Sequence, residues 1–388
     1  MRASIAALAG LALALILGGR PTAAADPFEI NAILSLTGPA AFLGTKEEQS
    51  LRAMETLLNA NGGIKGRPVK FAVQDDQSNP QLAVQLVSQL AAKKVPAIIG
   101  TSFTATCSAV TPVVENAGPT MYCLSPGIRP KPNTFMFASA PPFDDATPVV
   151  LRYFRSRGWT KLALIAATDS TGQDSEQSFD KALTLPALKD IQAVAREHFN
   201  PTDISAAAQI TRIKAAHPDV IITYATGTGF GTLLRGINDA GLDVPVYGTG
   251  GNLTYAQMQA YGAFLPKDLF FNGAQGITAD PAATGALKRA QTIYFDAIKR
   301  AGVRADFGTQ LVWDPAMIVV EAFRHVGTDA TAEQIHQYME HLRGWTGVEG
   351  TYDFSNGDQR GIHESAVAVF RWDPAKADFV IVYTPNRR

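Results

Sequence analysis

Beyond its first 25 residues this 388-residue chain has no long apolar run, so nothing after that point reads as a membrane-spanning helix. An excess of positive or negative charge is also missing. The formal net charge is −1, which leaves no broad basic field for nucleic acid and no acidic tail. Cysteine is scarce, with only Cys107 and Cys123; there is no CxxC, and no histidine stands near either residue to favour catalysis. Enzyme signatures are missing too. There is no GxSxG and no HExxH. The run Gly227-Thr228-Gly229-Phe230-Gly231 lacks both the GK[ST] ending and the GxGxxG spacing of a phosphate loop. His336 and His341 are five apart, off one helix face, so they do not suggest a metal site. Asp75-Asp76, at the end of a strand-like run, reads as a solvated turn. Apolar residues make up 46%, ordinary for a folded protein, which argues against disorder.

What is present begins at the N-terminus. Met1, the basic Arg2, an apolar run from Ile5 to Leu17 and the small residues Ala23-Ala24-Ala25 have the composition of a secretory signal peptide. Cleavage is expected after Ala25, leaving Asp26 first. No cysteine lies at that junction to carry a lipid. The expectation is an exported protein working without cytoplasmic ATP or NADH, and no cofactor is implied. In an oxidising compartment Cys107 and Cys123 most simply form a disulfide, contributing roughly 3 kcal/mol. Two free buried thiols are the alternative.

The remaining length suggests two domains. Strand-like and helix-like segments alternate. Strands are expected at Glu29–Leu36, Val69–Gln74, Ala97–Gly100 and Thr120–Leu124, with helices at Lys46–Ala60, Pro80–Lys93 and Cys107–Asn116. After a non-periodic stretch the pattern restarts. Helices are expected at Thr147–Arg157, Gln173–Leu183, Asp203–Ala216 and Phe230–Ala240, and strands at Lys161–Ala166, Ile191–Glu197, Val220–Tyr224 and Val246–Gly248. This order predicts an α/β fold of two doubly wound parallel-sheet lobes. The last third offers two long helices, Ala282–Ala301 and Pro315–Val326. A hairpin-like end follows at Gly350–Phe354 and Ala366–Phe370, with a final strand near Phe379–Tyr383.

Ligands of doubly wound sheets bind beyond the carboxyl ends of the strands. The loops there are Ser35–Gly44, Gly100–Thr106, Ser125–Arg129, Thr168–Gln173, Ala225–Phe230 and Thr249–Asn252, all rich in Gly, Ser and Thr. Taken singly, each suits an ordinary turn or helix cap. Six at ligand-facing positions in both units suggest backbone N–H groups and hydroxyls gathered around an anion.

The run Leu36-Thr37-Gly38-Pro39, then Asn61-Gly62-Gly63-Ile64-Lys65-Gly66, then Asp75-Asp76-Gln77-Ser78-Asn79-Pro80 resembles the leucine/isoleucine/valine-binding protein family. The likeness continues through Ile99-Gly100, Ser125-Pro126, Asp169-Ser170-Thr171-Gly172, Tyr224 and Gly248. These are type I periplasmic binding proteins that serve ABC importers. The resemblance implies two lobes, residues 26–140 plus 276–350 and residues 141–275 plus 351–388. Three crossovers would join them near Ser139–Pro142, Gly273–Thr278 and Gly350–Phe354. It also implies a periplasmic monomer, closing by hinge motion on a small-molecule ligand and presenting the closed form to an inner-membrane permease. A sensory receptor subunit is the alternative of another class, and a secreted hydrolase the third.

Carried over by position, a ligand carboxylate should meet Thr104 and the loop Gly127, Ile128 and Arg129, with Leu43 packing on the ligand. In the second lobe Thr171 and Gly227 stand where tyrosines are usual. Gly250 stands where an acidic residue normally pairs with an amino acid's ammonium. Asn252 is expected to complete the closed site. A buried ammonium without a carboxylate is costly, so the pattern favours an organic acid, such as an aromatic carboxylate, over an amino acid. Phe42, Phe103, Tyr224 and Phe230 are candidates to stack on a ring, or are core residues. Arg129 is a candidate partner for the carboxylate. Asp169 is the fallback partner for an ammonium.

Overall fold

The computed structural model describes residues 26–279 and 282–385. The expected signal peptide lies outside the described residues. No described helix is long and apolar enough to cross a membrane.

The first half forms β1 (Phe28–Leu34), α1 (Ala41–Ala60), β2 (Val69–Asp75), α2 (Pro80–Ala92), β3 (Ala97–Gly100), α3 (Thr104–Val114), β4 (Thr120–Cys123) and β5 (Met136–Ala138). These strands make one parallel sheet in the order β2-β1-β3-β4-β5. The second unit runs α4 (Phe143–Ser156), β6 (Lys161–Ala167), α5 (Ser170–Leu183), β7 (Gln192–Phe199), α6 (Ala207–Ala215), β8 (Val220–Tyr224), α7 (Thr228–Asp239), β9 (Val246–Gly248), α8 (Tyr255–Ala260) and β10 (Leu269–Ala274). The chain then returns to the first unit with α9 (Gly285–Arg300), α10 (Phe307–Val326), α11 (Ala332–Glu340), β11 (Arg343–Thr346) and β12 (Thr351–Asp353). It ends with β13 (Val367–Asp373) and β14 (Asp378–Tyr383). The second sheet has the order β14-β13-β10-β9-β8-β6-β7. It is parallel from β7 to β10, and β13 and β14 add antiparallel at one edge.

The central strands read as unbroken apolar runs because both faces are covered by helices. In β6 every residue after Lys161 is buried, and in β8 all are. Helix α1 turns Leu51, Met54 and Leu58 inward, and it packs against α10, which is buried along most of its length. Cys107 of α3 and Cys123 of β4 are joined in a disulfide that pins the helix to the sheet.

The last third departs from the sequence reading in two ways. Gly350–Phe354 does not pair with Ala366–Phe370. Instead β12 pairs with β11, while β13 pairs with β10 and β14. The third crossing therefore falls later than Gly350–Phe354. Phe354 packs its ring on Phe137 of the first unit, and Gln359 and Arg360 bond to carbonyls at Thr134, Ser139 and Ala140. Buried aromatic packing and an arginine bound to carbonyls hold residues 351–360 on the first lobe.

Candidate functional site

A narrow cavity lies between the two sheets, at the carboxyl ends of their strands. The first lobe contributes Leu43 in the first turn of α1, Ser102 and Phe103 after β3, Thr104 at the start of α3, and Leu124, Ser125 and Pro126 after β4. It also contributes Phe307 and Leu311 from α10. The second lobe contributes Phe143, Thr171, Thr226, Thr249 and Gly251.

None of these lining side chains is ionisable. Hydroxyls and helix ends supply the polarity. Thr104 Oγ1 and Ser125 Oγ are 2.9 Å apart and hydrogen-bonded, and Gly127 N donates to Ser125 Oγ at 3.2 Å. Gly127 has to be glycine, because a Cβ there would lie 2.5 Å from Thr104 Oγ1. Helix α3 starts after Phe103 without a side-chain cap. Its first N–H groups thus carry the partial positive charge of the helix end uncompensated. The helices α1 and α4, which line the cavity through Leu43 and Phe143, also start without side-chain caps. Helices α5 and α10, which line it through Thr171 and Phe307, are capped by Asp169 and Asp306.

Behind the hydroxyls lies a buried acid pair. Ser102 Oγ accepts from Ser35 N at 2.9 Å and donates to Glu47 Oε2 at 2.5 Å. Ser35 Oγ donates to Asp76 Oδ1 at 2.7 Å. Burial pushes the Glu47 carboxyl well above the usual glutamate range. The Ser102 hydrogen bond opposes that shift, and the nearby Asp76 adds to it. Asp76 is raised as well, again mainly by burial. Asp75-Asp76 is therefore not the solvated turn the sequence suggested. Asp76 is fully buried, and Asp75 Oδ1 accepts from the N–H groups of Leu36, Thr37 and Gln77. These carboxylates organise the loop that precedes α1.

The candidate residues are distributed as follows. Leu43, Phe103, Thr104 and Thr171 line the cavity, and Gly127 backs Thr104. Gly250 borders a neighbouring cavity. Arg129 is turned away from the ligand space. Its Nη2 donates to Asp144 Oδ1 at 3.0 Å and Ser178 Oγ at 3.1 Å, and its Nη1 pairs with Asp174. Carboxylates of the opposite lobe have taken the guanidinium that was assigned to the ligand. Asn252 is also committed to the protein, donating to Ala225 O at 2.7 Å and accepting from Gly227 N at 3.1 Å. Tyr224 sits in the core of the second lobe against Phe179 and Tyr247, and Phe230 packs on Phe271 and Tyr261. Ile128 is a buried core residue. Phe42 meets the second lobe at Gly227, where a Cβ would lie 3.1 Å from its ring. Asp169 caps α5 by accepting from Gly172 N at 3.0 Å.

Sequence reasoning missed Leu124, Phe143, Phe307 and Leu311. The last two come from α10, far downstream of the first-lobe loops they face, and no local pattern marks them. Ser102, Ser125, Pro126, Thr226, Thr249 and Gly251 lay within the loops singled out as ligand-facing but were not named individually.

Known proteins give this geometry a context. The family described as periplasmic binding protein matches residues 27–377. The Leu/Ile/Val-binding protein homolog 3 of Brucella melitensis is 22% identical over 374 residues, 95% of this chain and 97% of that protein. A branched-chain amino acid transporter substrate binding protein of Streptococcus pneumoniae, solved with isoleucine, superposes with a TM-score of 0.75 at 17% identity, covering 92% of this chain and 99% of its own. A solute binding protein of an ABC transporter from R. palustris, solved with benzoate, gives 0.74 at 16% identity, covering 92% and 95%. The chain belongs to the periplasmic binding protein family, among the type I proteins that include the leucine/isoleucine/valine-binding proteins.

Proposed function

We propose that this chain is the substrate-binding component of an ABC importer. Its ligand is a small organic acid, with an aromatic carboxylate favoured over an amino acid. One observation carries the reading. The lining of the interlobe cavity holds hydroxyls and the uncapped end of α3 but no carboxylate. Such a lining suits an anion and leaves an α-ammonium unpaired. Gly250 supports this. A Cβ at that position would lie 2.6 Å from Asn272 O, so an acidic side chain does not fit there without backbone movement.

In this reading the carboxylate docks on the first lobe, against Thr104, Ser125 and the first N–H groups of α3. Phe103, Phe143 and Phe307 enclose the apolar body. The second lobe then closes, adding Thr171, Thr226 and Thr249. The lobe boundaries near 140 and 275 belong to this proposal, with the third moved past residue 360. A monomer acting in the periplasm with an inner-membrane permease also belongs to it. Nothing is done chemically to the ligand.

Calorimetric titration with benzoate and with L-leucine tests the proposal. Binding of benzoate with no heat from leucine is the expected result. Binding of leucine alone overturns it.

A further inference from the structure

A second, smaller cavity adjoins the first at the hinge end of the cleft. Pro126 and Phe307 stand in the walls of both. Its one polar side chain is Asn272, on β10 and 6% exposed. Asn272 Oδ1 accepts from Gly250 N at 2.8 Å and from Tyr247 Oη at 2.6 Å. A backbone N–H can only donate, so the amide atom facing Gly250 is the oxygen, and the orientation of the group is fixed. The amide nitrogen is then left at the cavity with no acceptor among the described residues. The walls around it, including Ala140, Pro141, Ala274 and Val367, offer apolar side chains. Gly250 keeps this amide uncovered. A Cβ there would lie 3.4 Å from Asn272 Nδ2.

An amide N–H group that opens on an apolar cavity and finds no acceptor in the protein is a ready donor to a ligand atom placed there. We propose that the ligand spans both cavities and that its end opposite the carboxylate bears an oxygen acceptor, which takes a hydrogen bond from Asn272 Nδ2. The ligand class narrows to ring acids carrying a carbonyl or second carboxylate group. This rests on reading the first cavity as a carboxylate site.

The experiment is calorimetry of the full chain with benzoate, 3- and 4-acetylbenzoate, and benzene-1,3- and 1,4-dicarboxylate, repeated on Asn272→Asp. That variant keeps an oxygen for Gly250 N and Tyr247 Oη but presents another acceptor in place of the amino group. The expected result is that at least one acceptor-bearing acid binds the natural protein tenfold or more tighter than benzoate. Asn272→Asp adds a negative charge and weakens every acid, but the preference of the uncharged acetyl groups over benzoate falls below twofold in it. Benzoate binding as tightly as every substituted acid overturns the inference and leaves the carboxylate site standing, and this arm needs no variant to fold. A preference that survives in Asn272→Asp overturns it as well. No binding by any probe removes the carboxylate reading itself and the inference with it.

Discussion

Arg129, on the first-lobe loop after β4, is ion-paired with Asp174 in α5 of the second lobe. The same guanidinium reaches Asp144 in α4. Burial acts to raise the Asp144 carboxyl, but hydrogen bonds from Lys181, Arg129 and Ser178 outweigh it and hold the group below the usual aspartate range. One arginine thus links the two lobes without lining the ligand space.

Arg129→Ala should therefore weaken ligand retention rather than ligand contact. The arginine is partly exposed, so the pair contributes no more than about 1 kcal/mol. The expected outcome is a dissociation rate raised about threefold to fivefold, with the association rate nearly unchanged, measured by stopped-flow fluorescence. An unchanged dissociation rate would show that the pair does not hold the closed form.

Thr104→Val keeps the side-chain shape and removes the hydroxyl that pairs with Ser125. Hydrogen bonds to charged groups contribute about 1.5–3 kcal/mol, so affinity for a carboxylate should fall roughly tenfold to a hundredfold. Titration calorimetry checks this, with the melting temperature of the unliganded protein as a control for folding.

Glu47 gives a pH-dependent stability of known sign. Burial raises its folded-state pKa above the unfolded value. Its contribution is complete below the unfolded pKa, near the ordinary glutamate range, and is lost as pH rises toward the raised value. Glu47→Gln, which can still bond to Ser102, should leave the melting temperature unchanged near pH 4 and raise it at pH 7 to 8. Differential scanning calorimetry at both pH values decides. Equal curves at every pH would mean that the carboxyl titrates alike in both states.

His363 lies next to the third crossing and bridges two carboxylates, Asp145 Oδ2 at 2.9 Å and Asp358 Oδ2 at 2.6 Å. These hydrogen bonds push its pKa up to about 9. The stabilisation is complete below the ordinary histidine pKa of about 6.5 and is lost as pH climbs through 9. Arg152 and Glu364 form an ion pair beside it. His363→Gln should flatten the fall in melting temperature between pH 6.5 and 9.5. NMR titration of the imidazole in the natural protein gives an independent reading.

The sheets were legible because their strands are short apolar runs separated by helical periodicity, as in Leu162–Ala167 and Val220–Tyr224. Helix starts at the cleft were misplaced. Helix α1 begins at Ala41 and α3 at Thr104, several residues ahead of the starts at Lys46 and Cys107 expected from periodicity. No capping side chain announces either start. This shift put Leu43 and Thr104 on helix ends at the cavity instead of on flexible loops.

The order of apolar periods along the chain determined by itself that there would be two α/β units, and it marked the loops rich in glycine and hydroxyls at their strand ends, because both signals are local. Only the tertiary structure decided which side chains face the cleft. Arg129 turned to Asp174 because a carboxylate of the other lobe lies within its reach. Asn252 turned to Ala225 and Gly227, whose backbone groups needed partners in a buried loop. Phe307 and Asn272, far apart in sequence, became walls of one cavity only when the chain crossed between the lobes. Such choices depend on competing partners brought together by folding, which no short stretch of sequence contains.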